Sequence, residues 1–458
     1  MDYDFFGENN EPQAEEKDVQ RVPAPMPKEE NPAPKRKRKV WKTVLSIAIA
    51  LSIFLSGMLT TWTLLDPEMR TLVAIKNKIQ KDYYKEVSDE EFYEAIFGGI
   101  NNNILDAYSG YLTPEQFAEM MSEMDGNQIG IGLVFGAQAT EPLRITRVCG
   151  NSPAEEAGVK VGETIVAFGE DETKMTPCTT FQELSDFLKR YGEKEEFFLT
   201  LQLNGVTRNL MLYKAAYVES CVFYRTNDKS YSFAGDKADV WTELGSPLTA
   251  LNNDTAYIRL IQFTSNATEQ FDRAMQQFKQ DGKKNLILDL RGNGGGYVST
   301  LQAIASYFCK SSTEKEPIVA VADFGEKTAS YRATGNYYKE YFAEDSRICV
   351  LADCYSASAS ECLLGCMLDY GAIAYKDICL AERSGVAKTY GKGIMQETSL
   401  VNLIKQDAIT LTTAEIRWPV SNNSIHGRGI LPEDGAMTVA EDVDYERETA
   451  NALKMLLG

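Results

Sequence analysis

The chain is predicted to be a multidomain α/β (α+β) protein. An N-terminal transmembrane helix and a helical segment precede a small β-rich domain and a mixed α/β domain. Three observations predict this. First, 458 residues exceed one ordinary domain, and a composition of 44% hydrophobic and 25% charged residues is that of folded chains. Second, residues 43–65, TVLSIAIALSIFLSGMLTTWTLL, carry no charge. Third, from about Ala215 onward apolar runs of strand length alternate with amphipathic helical stretches, the pattern of a largely buried sheet.

Composition excludes several functions. The formal net charge is −19, from 66 acidic and 47 basic residues, so the chain lacks the basic surplus that binding to nucleic acid needs. One histidine, His426, rules out a His-rich metal site, and no metal or cofactor is expected. Nine cysteines are scattered without a C-x-x-C pair, which supports neither a zinc ribbon nor a thioredoxin-type site. Cys362 and Cys366 fall i,i+4 on an expected helix.

Taken in order, residues 1–42 read as a disordered cytoplasmic tail rich in Pro, Glu, Asn and Ala. It ends in the basic run Lys35–Lys39 and Lys42. The 23 uncharged residues 43–65 would make a helix about 34 Å long, enough for a hydrocarbon core of about 30 Å. Trp41 and Trp62 flank it at interfacial depth, and the basic cluster keeps the N-terminus inside. A cleaved signal peptide is disfavoured by the long polar lead and long apolar run. Residues 1–42 hold nine acids and nine bases, so the whole −19 falls on the remainder, which is expected outside the cell membrane or in the envelope.

Residues 66–122 read as helices, the last opening at Thr113 with Pro114 in its first turn. Residues 123–215 change to short strands ending in Gly or Asn, interrupted by SPAEEAG and FQELSDFLKRYG. Ile129-Gly130-Ile131-Gly132-Leu133, followed by NSPAEEAGVKVGETIVAFG, resembles a PDZ domain. The resemblance implies peptide binding by strand addition at those five residues, with loop amides holding a terminal carboxylate. A PDZ-shaped spacer that binds nothing is the bland alternative.

Residues 216–458 carry three motifs. Ser356-Ala357-Ser358-Ala359-Ser360-Glu361 sits at a strand-to-helix turn, where a serine can be exposed beside free amides. By itself Ser358-x-x-Glu361 reads as a capping box. Lys392 lies between two glycines in Thr389–Gln396. A lysine can serve as general base for a serine if burial lowers its pKa, and a neutral Gln396 can orient the amine without restoring its charge. Asp289-Leu290-Arg291-Gly292-Asn293-Gly294-Gly295-Gly296 follows a buried strand and can present amides to an oxyanion, with a plain glycine turn as the alternative.

Together with DAYSGYLTPEQF and AITLTTAEIRWP, these motifs, in this order, resemble the C-terminal processing peptidases, or tail-specific proteases, over nearly all of residues 66–458. The resemblance implies a serine endopeptidase with a Ser-Lys dyad, Ser358 and Lys392, supported by Gln396. Its oxyanion hole would fall on the amide of Ala359 and on Gly296 or its neighbour Gly295. It further implies protein or peptide substrates with unstructured tails, a PDZ domain that gates the site, and a homodimer. His426 has no expected role. Two departures stand out. Gly371 to Lys392 spans 21 residues, several more than is usual, and includes Lys388; and Gly294 stands where proline is common. The longer stretch is either a surface loop or a displacement of Lys392. The alternative function is a catalytically inactive PDZ scaffold or peptide receptor.

Overall fold

A computed structural model of the chain describes residues 37–64, 66–135, 143–235, 237–442 and 444–457. The expected tail 1–42 lies outside them up to residue 36. The chain divides into two compact units, one ending at Phe92 and the other beginning at Tyr93.

The first unit contains α1 (Lys37–Leu64) and α2 (Pro67–Asp82), and α3 (Asp89–Asn103) begins in it. α2 starts as the sequence suggests: Asp66 accepts from the Glu68 amide and Pro67 fills the first helical position. The expected span 43–65 coincides with α1 as far as Leu64, while Leu65 and the side chains of Leu59 and of residues 61–64 lie outside the described residues. Among the described residues no helix is long and apolar enough to cross a membrane.

In the second unit, α3 is followed by β1 (Gly110–Leu112) and α4 (Pro114–Met124). Thr113 and Gln116 close α4 with a reciprocal capping box. β1 departs from the all-helical expectation. It is three residues long and exists because a distant strand pairs with it.

The small β-domain follows, with β2 (Asn127–Gly130), β3 (Leu133–Phe135), β4 (Leu143–Val148), α5 (Pro153–Glu156), β5 (Thr164–Gly169), β6 (Met175–Pro177), α6 (Phe181–Leu188), β7 (Glu196–Leu203), β8 (Val206–Tyr213) and β9 (Ala215–Val218). Among the described residues its sheet runs β3-β4-β5-β7-β8, with β6 on β5, and β2 pairs separately with β9. Alternate residues of β7, Phe197, Leu199 and Leu201, point into a core closed by Leu184 and Phe187 of α6. Among the described residues β3 lies at the edge of that sheet, next to β4.

The α/β domain opens with β10 (Val222–Arg225), β11 (Ser230–Ala234) and β12 (Val240–Leu244), an antiparallel meander. Then come β13 (Thr255–Leu260), α7 (Ala267–Gln280), β14 (Asn285–Asp289), α8 (Val298–Ala305), β15 (Ile318–Asp323), β16 (Thr328–Arg332), α9 (Tyr338–Tyr341), β17 (Ile348–Asp353), α10 (Ala359–Asp369), β18 (Ile378–Ala381), β19 (Ile394–Asn402), β20 (Asp407–Arg417), β21 (Met437–Val439) and α11 (Tyr445–Leu457). Among the described residues the main sheet runs β12-β11-β10-β13-β14-β17-β18-β21, parallel from β13 onward.

Both faces of the parallel strands are covered, which explains their unbroken apolar runs. Ile258, Leu286, Leu288, Val350 and Leu380 pack under α7, α8 and α10. Their neighbours Tyr257, Ile287, Leu351, Cys379 and Ala381 pack against α11. A second sheet, β1-β20-β15-β16 with β19 on β20, holds the chain after Lys392.

The long stretch from Gly371 to Lys392 is mainly structural. It supplies the buried strand β18 and a tight turn at Arg383–Val386. It is therefore not a simple surface loop.

Candidate active site

The parallel strands β14 and β17 are neighbours, and each ends in one of the motifs. β14 runs into Asp289–Gly296, and β17 runs into Ser356–Glu361 at the start of α10. Three serines share that turn and differ in use. The Ser356 hydroxyl donates to Leu290 C=O at 2.8 Å, and that of Ser360 donates to Asn293 C=O at 2.9 Å. Both are fully buried and tie the turn to the glycine loop. Ser358 is half-buried, and its hydroxyl forms no cap bond to α10. Its backbone has φ 56° and ψ −115°, a strained conformation that costs about 1–3 kcal/mol in a non-glycine residue and clusters at functional sites.

Glu361 replaces Ser358 as the organiser of the turn. It has no exposed surface. Its Oε2 accepts from the amides of Ser358 (3.1 Å) and Lys392 (2.9 Å), and its Oε1 from Thr389 Oγ1 (2.6 Å) and the Gly391 amide (2.8 Å). A single carboxylate oxygen thus joins the backbones at Ser358 and Lys392. Burial raises the Glu361 pKa, against the pull of these donors.

Lys392 Nζ donates to Gln396 Oε1, and Gln396 Nε2 donates to the Tyr108 C=O. The Tyr108 ring lies 5.3 Å from Nζ. Burial lowers the Lys392 pKa, opposed by the negative charge of Asp106. Lys388 does not line the cleft that Lys392 enters. His426 backs onto Gly393, where a side chain would meet the His426 amide at 2.8 Å.

The glycines of the loop have separate uses. The Gly295 amide is already donated to Asn293 Oδ1 at 2.9 Å, which removes it as an oxyanion donor. Its role is space: a Cβ there would meet Ser358 Cβ at 2.8 Å. Gly296 has φ 142° and lies against Phe263, where a Cβ would meet the Phe263 oxygen at 2.3 Å. Its neighbours Gly295 C=O and Tyr297 N–H take the bonds to Phe263, leaving the Gly296 amide without an acceptor among the described residues. Ala359, the first residue of α10, likewise has no helical acceptor for its amide. Gly294 has open space where a side chain would stand.

Ala357, Gly294 and Lys392 line one cleft of about 460 Å³. Its walls also include Val134 and Phe135 of β3, Arg259, Asp353 and Arg383. Ile129, Gly130, Ile131, Gly132 and Leu133 line a second cleft, together with Phe181, Leu184 and Leu188 of α6. Ile129 and Gly130 end β2, Leu133 begins β3, and Gly132 turns between them at φ 82°. Among the described residues no cluster of His, Cys, Asp or Glu could hold a metal ion.

Sequence reasoning missed two contributors. Glu361 was legible only as a helix cap, although S-x-x-E was its signal. Tyr108 lies within DAYSGYLTPEQF, but nothing in the sequence links its carbonyl to Gln396.

Comparison with known proteins bears on these residues. Residues 254–434 match the profile of peptidase family S41. A probable CtpA-like serine protease of Staphylococcus saprophyticus is 24% identical over 369 residues, covering 80% of this chain and 65% of that protein. Its Staphylococcus aureus counterpart is 26% identical over 358 residues, covering 78% and 62%. The chain therefore spans somewhat less than two thirds of these relatives. A solved photosystem II D1 C-terminal processing protease aligns over 79% of this chain and 85% of its own, at 21% identity and TM-score 0.46.

Proposed function

We propose that this chain, whose residues 254–434 match the profile of peptidase family S41, is a membrane-anchored serine endopeptidase that cuts protein substrates near unstructured or C-terminal tails. The observation that carries this reading is that Glu361 Oε2 joins the backbone amides of Ser358, whose hydroxyl caps nothing, and Lys392, whose amine is held by a neutral amide. Ser358 Oγ attacks the scissile carbonyl as Lys392 Nζ takes its proton. The amides of Gly296 and Ala359 hold the oxyanion, each contributing about 3–4 kcal/mol. Lys392 returns the proton to the leaving amine. Water then attacks the acyl-enzyme with Lys392 again as base, releasing the acid and Ser358.

In this reading residues 123–215 are a PDZ domain that gates the site. The groove that Ile129–Leu133 form with Phe181, Leu184 and Leu188 of α6, with Gly132 at positive φ, supports strand addition of a peptide. The uncharged run 43–65 behind a basic cluster supports a single-pass anchor with the catalytic part outside. Homodimer formation belongs to the same reading.

The test uses the full chain in detergent with an unfolded protein substrate, and cuts are mapped by mass spectrometry. Wild type should cut, while Ser358→Ala and Lys392→Ala should each lose at least about a thousandfold in kcat. Cutting by Ser358→Ala would sink the assignment. An inert wild type that still binds hydrophobic C-terminal peptides would favour a peptide receptor.

A further inference from the structure

We propose that Arg383, in the unusually long stretch before Lys392, is a positioning residue that holds the oxyanion loop in place through Asp353. The inference rests on the peptidase reading for its catalytic consequence, and on geometry for the rest. Asp353 ends β17 and is 2% exposed. Its Oδ1 accepts from the amides of Gly292, the first glycine of the loop, and of Tyr355, in the turn toward Ser358, both at 3.0 Å. One carboxylate oxygen therefore fixes the start of the loop against the start of the nucleophile turn.

The other oxygen of that carboxylate faces Arg383 Nε at 3.2 Å. The two remaining nitrogens of the guanidinium fork onto Glu448 of α11, at 2.8 and 3.0 Å. Glu448 also receives Arg291 of the loop at 2.6 Å. Arg383 is itself held rigidly. Its own N–H and C=O bond both ways to Val386 across a turn with Ser384 and Gly385 at φ 52° and 77°, and the Ser384 amide is fixed by Glu441 at 3.0 Å. A planar fork with three simultaneous contacts is what a lysine cannot supply.

Burial raises the Asp353 pKa, and the charge of Arg383 is the largest influence holding it down. Without that cation the buried carboxylate tends toward its neutral form, a poorer acceptor for the Gly292 amide.

The experiment compares wild type, Arg383→Met and Arg383→Lys as full chains. Hydrogen exchange of peptides covering residues 290–297 is measured beside kcat and KM. Arg383→Met should exchange in that loop about tenfold faster or more, and its kcat should fall about 10- to 100-fold with KM within about threefold, as expected for a loop displaced by a fraction of an ångström. Added ethylguanidinium should restore part of kcat in Arg383→Met and none in Ser358→Ala. Unchanged loop exchange in a folded Arg383→Met overturns the proposal. So does a raised KM at constant kcat, which would make Arg383 a substrate contact on the cleft wall. If Arg383→Met does not fold, Arg383→Lys carries the same comparison. If wild type cuts nothing, the peptidase reading fails while the exchange measurement still decides the role of Arg383.

Discussion

Replacing Gly295 with alanine tests whether the glycine loop and Ser358 are in contact. The added Cβ would stand 2.8 Å from Ser358 Cβ and 3.0 Å from both Ala357 O and Ala359 N. None of these atoms can rotate away, because each is backbone or the first atom of a side chain. Ordinary contact begins near 3.4 Å, so the two motifs must separate by roughly 0.6 Å or more. The backbone at φ 102° adds strain of about 1–3 kcal/mol, and overpacking adds about 1–3 kcal/mol. A loss of about 2–6 kcal/mol in stability is expected by thermal or urea unfolding. On the proposed mechanism, a Ser358 displaced by most of an ångström should lose about 30- to 100-fold in kcat. Two neighbouring glycines are the controls. Gly292 has φ 74° and open space, so Gly292→Ala should cost about 1 kcal/mol in stability and little activity. Gly294 has open space and no positive φ, so Gly294→Ala should keep kcat within about threefold. The reasoning is refuted if folded Gly295→Ala retains kcat within about threefold of wild type, or if Gly294→Ala loses as much.

Three further outcomes are expected. Asp106→Asn removes the charge that props up the Lys392 pKa, so the acid limb of the kcat/KM profile should move to lower pH; movement to higher pH would show that Lys392 is not the titrating base. Glu361→Gln leaves one carbonyl oxygen for four donors and should lower stability by about 2–4 kcal/mol and kcat at least about tenfold. Because burial raises the Glu361 pKa, its contribution is fullest below the ordinary carboxylate value and is lost as pH rises through the folded value, so the melting gap between wild type and Glu361→Gln should be wider at pH 5 than at pH 8. Finally, Cys354 is only half-buried while the other eight cysteines are buried, so a maleimide should label Cys354 first under native conditions, and Cys309 and Cys366, whose sulfurs lie 3.0 Å apart, only after unfolding.

Much of this architecture was legible because its signals are local. The continuous run Asn285–Leu290 could only be a strand covered on both faces, and Thr113-Pro114 could only begin a helix. Ser358 was legible as the odd serine of three only through family likeness, since the hydroxyls of Ser356 and Ser360 reveal their structural use only when the glycine loop lies beside them. β1 was not legible, because its three residues owe their conformation to β20, about 300 residues away in the chain. The same holds for Gln396 and the Tyr108 carbonyl. The choice between Gly295 and Gly296 needed the side-chain oxygen of Asn293, which no spacing rule predicts. The stretch from Gly371 to Lys392 was read by length alone, and length does not distinguish a loop from a buried strand with a turn.

α11 follows every strand of the main sheet in chain order, yet its Glu448 completes the charge set around Arg291 and Arg383. Synthesis runs in one direction, so the sheet, the serine and the lysine all exist before that carboxylate does. Until α11 docks, Arg291 has lost one of its two carboxylates and Arg383 must hold Asp353 unaided. A growing chain therefore carries Ser358 and Lys392 before the brace of their loop is present. On the proposed peptidase reading, a chain halted after Asp442 lacks both that brace and the cover of one sheet face, and should cut far more slowly than the full chain.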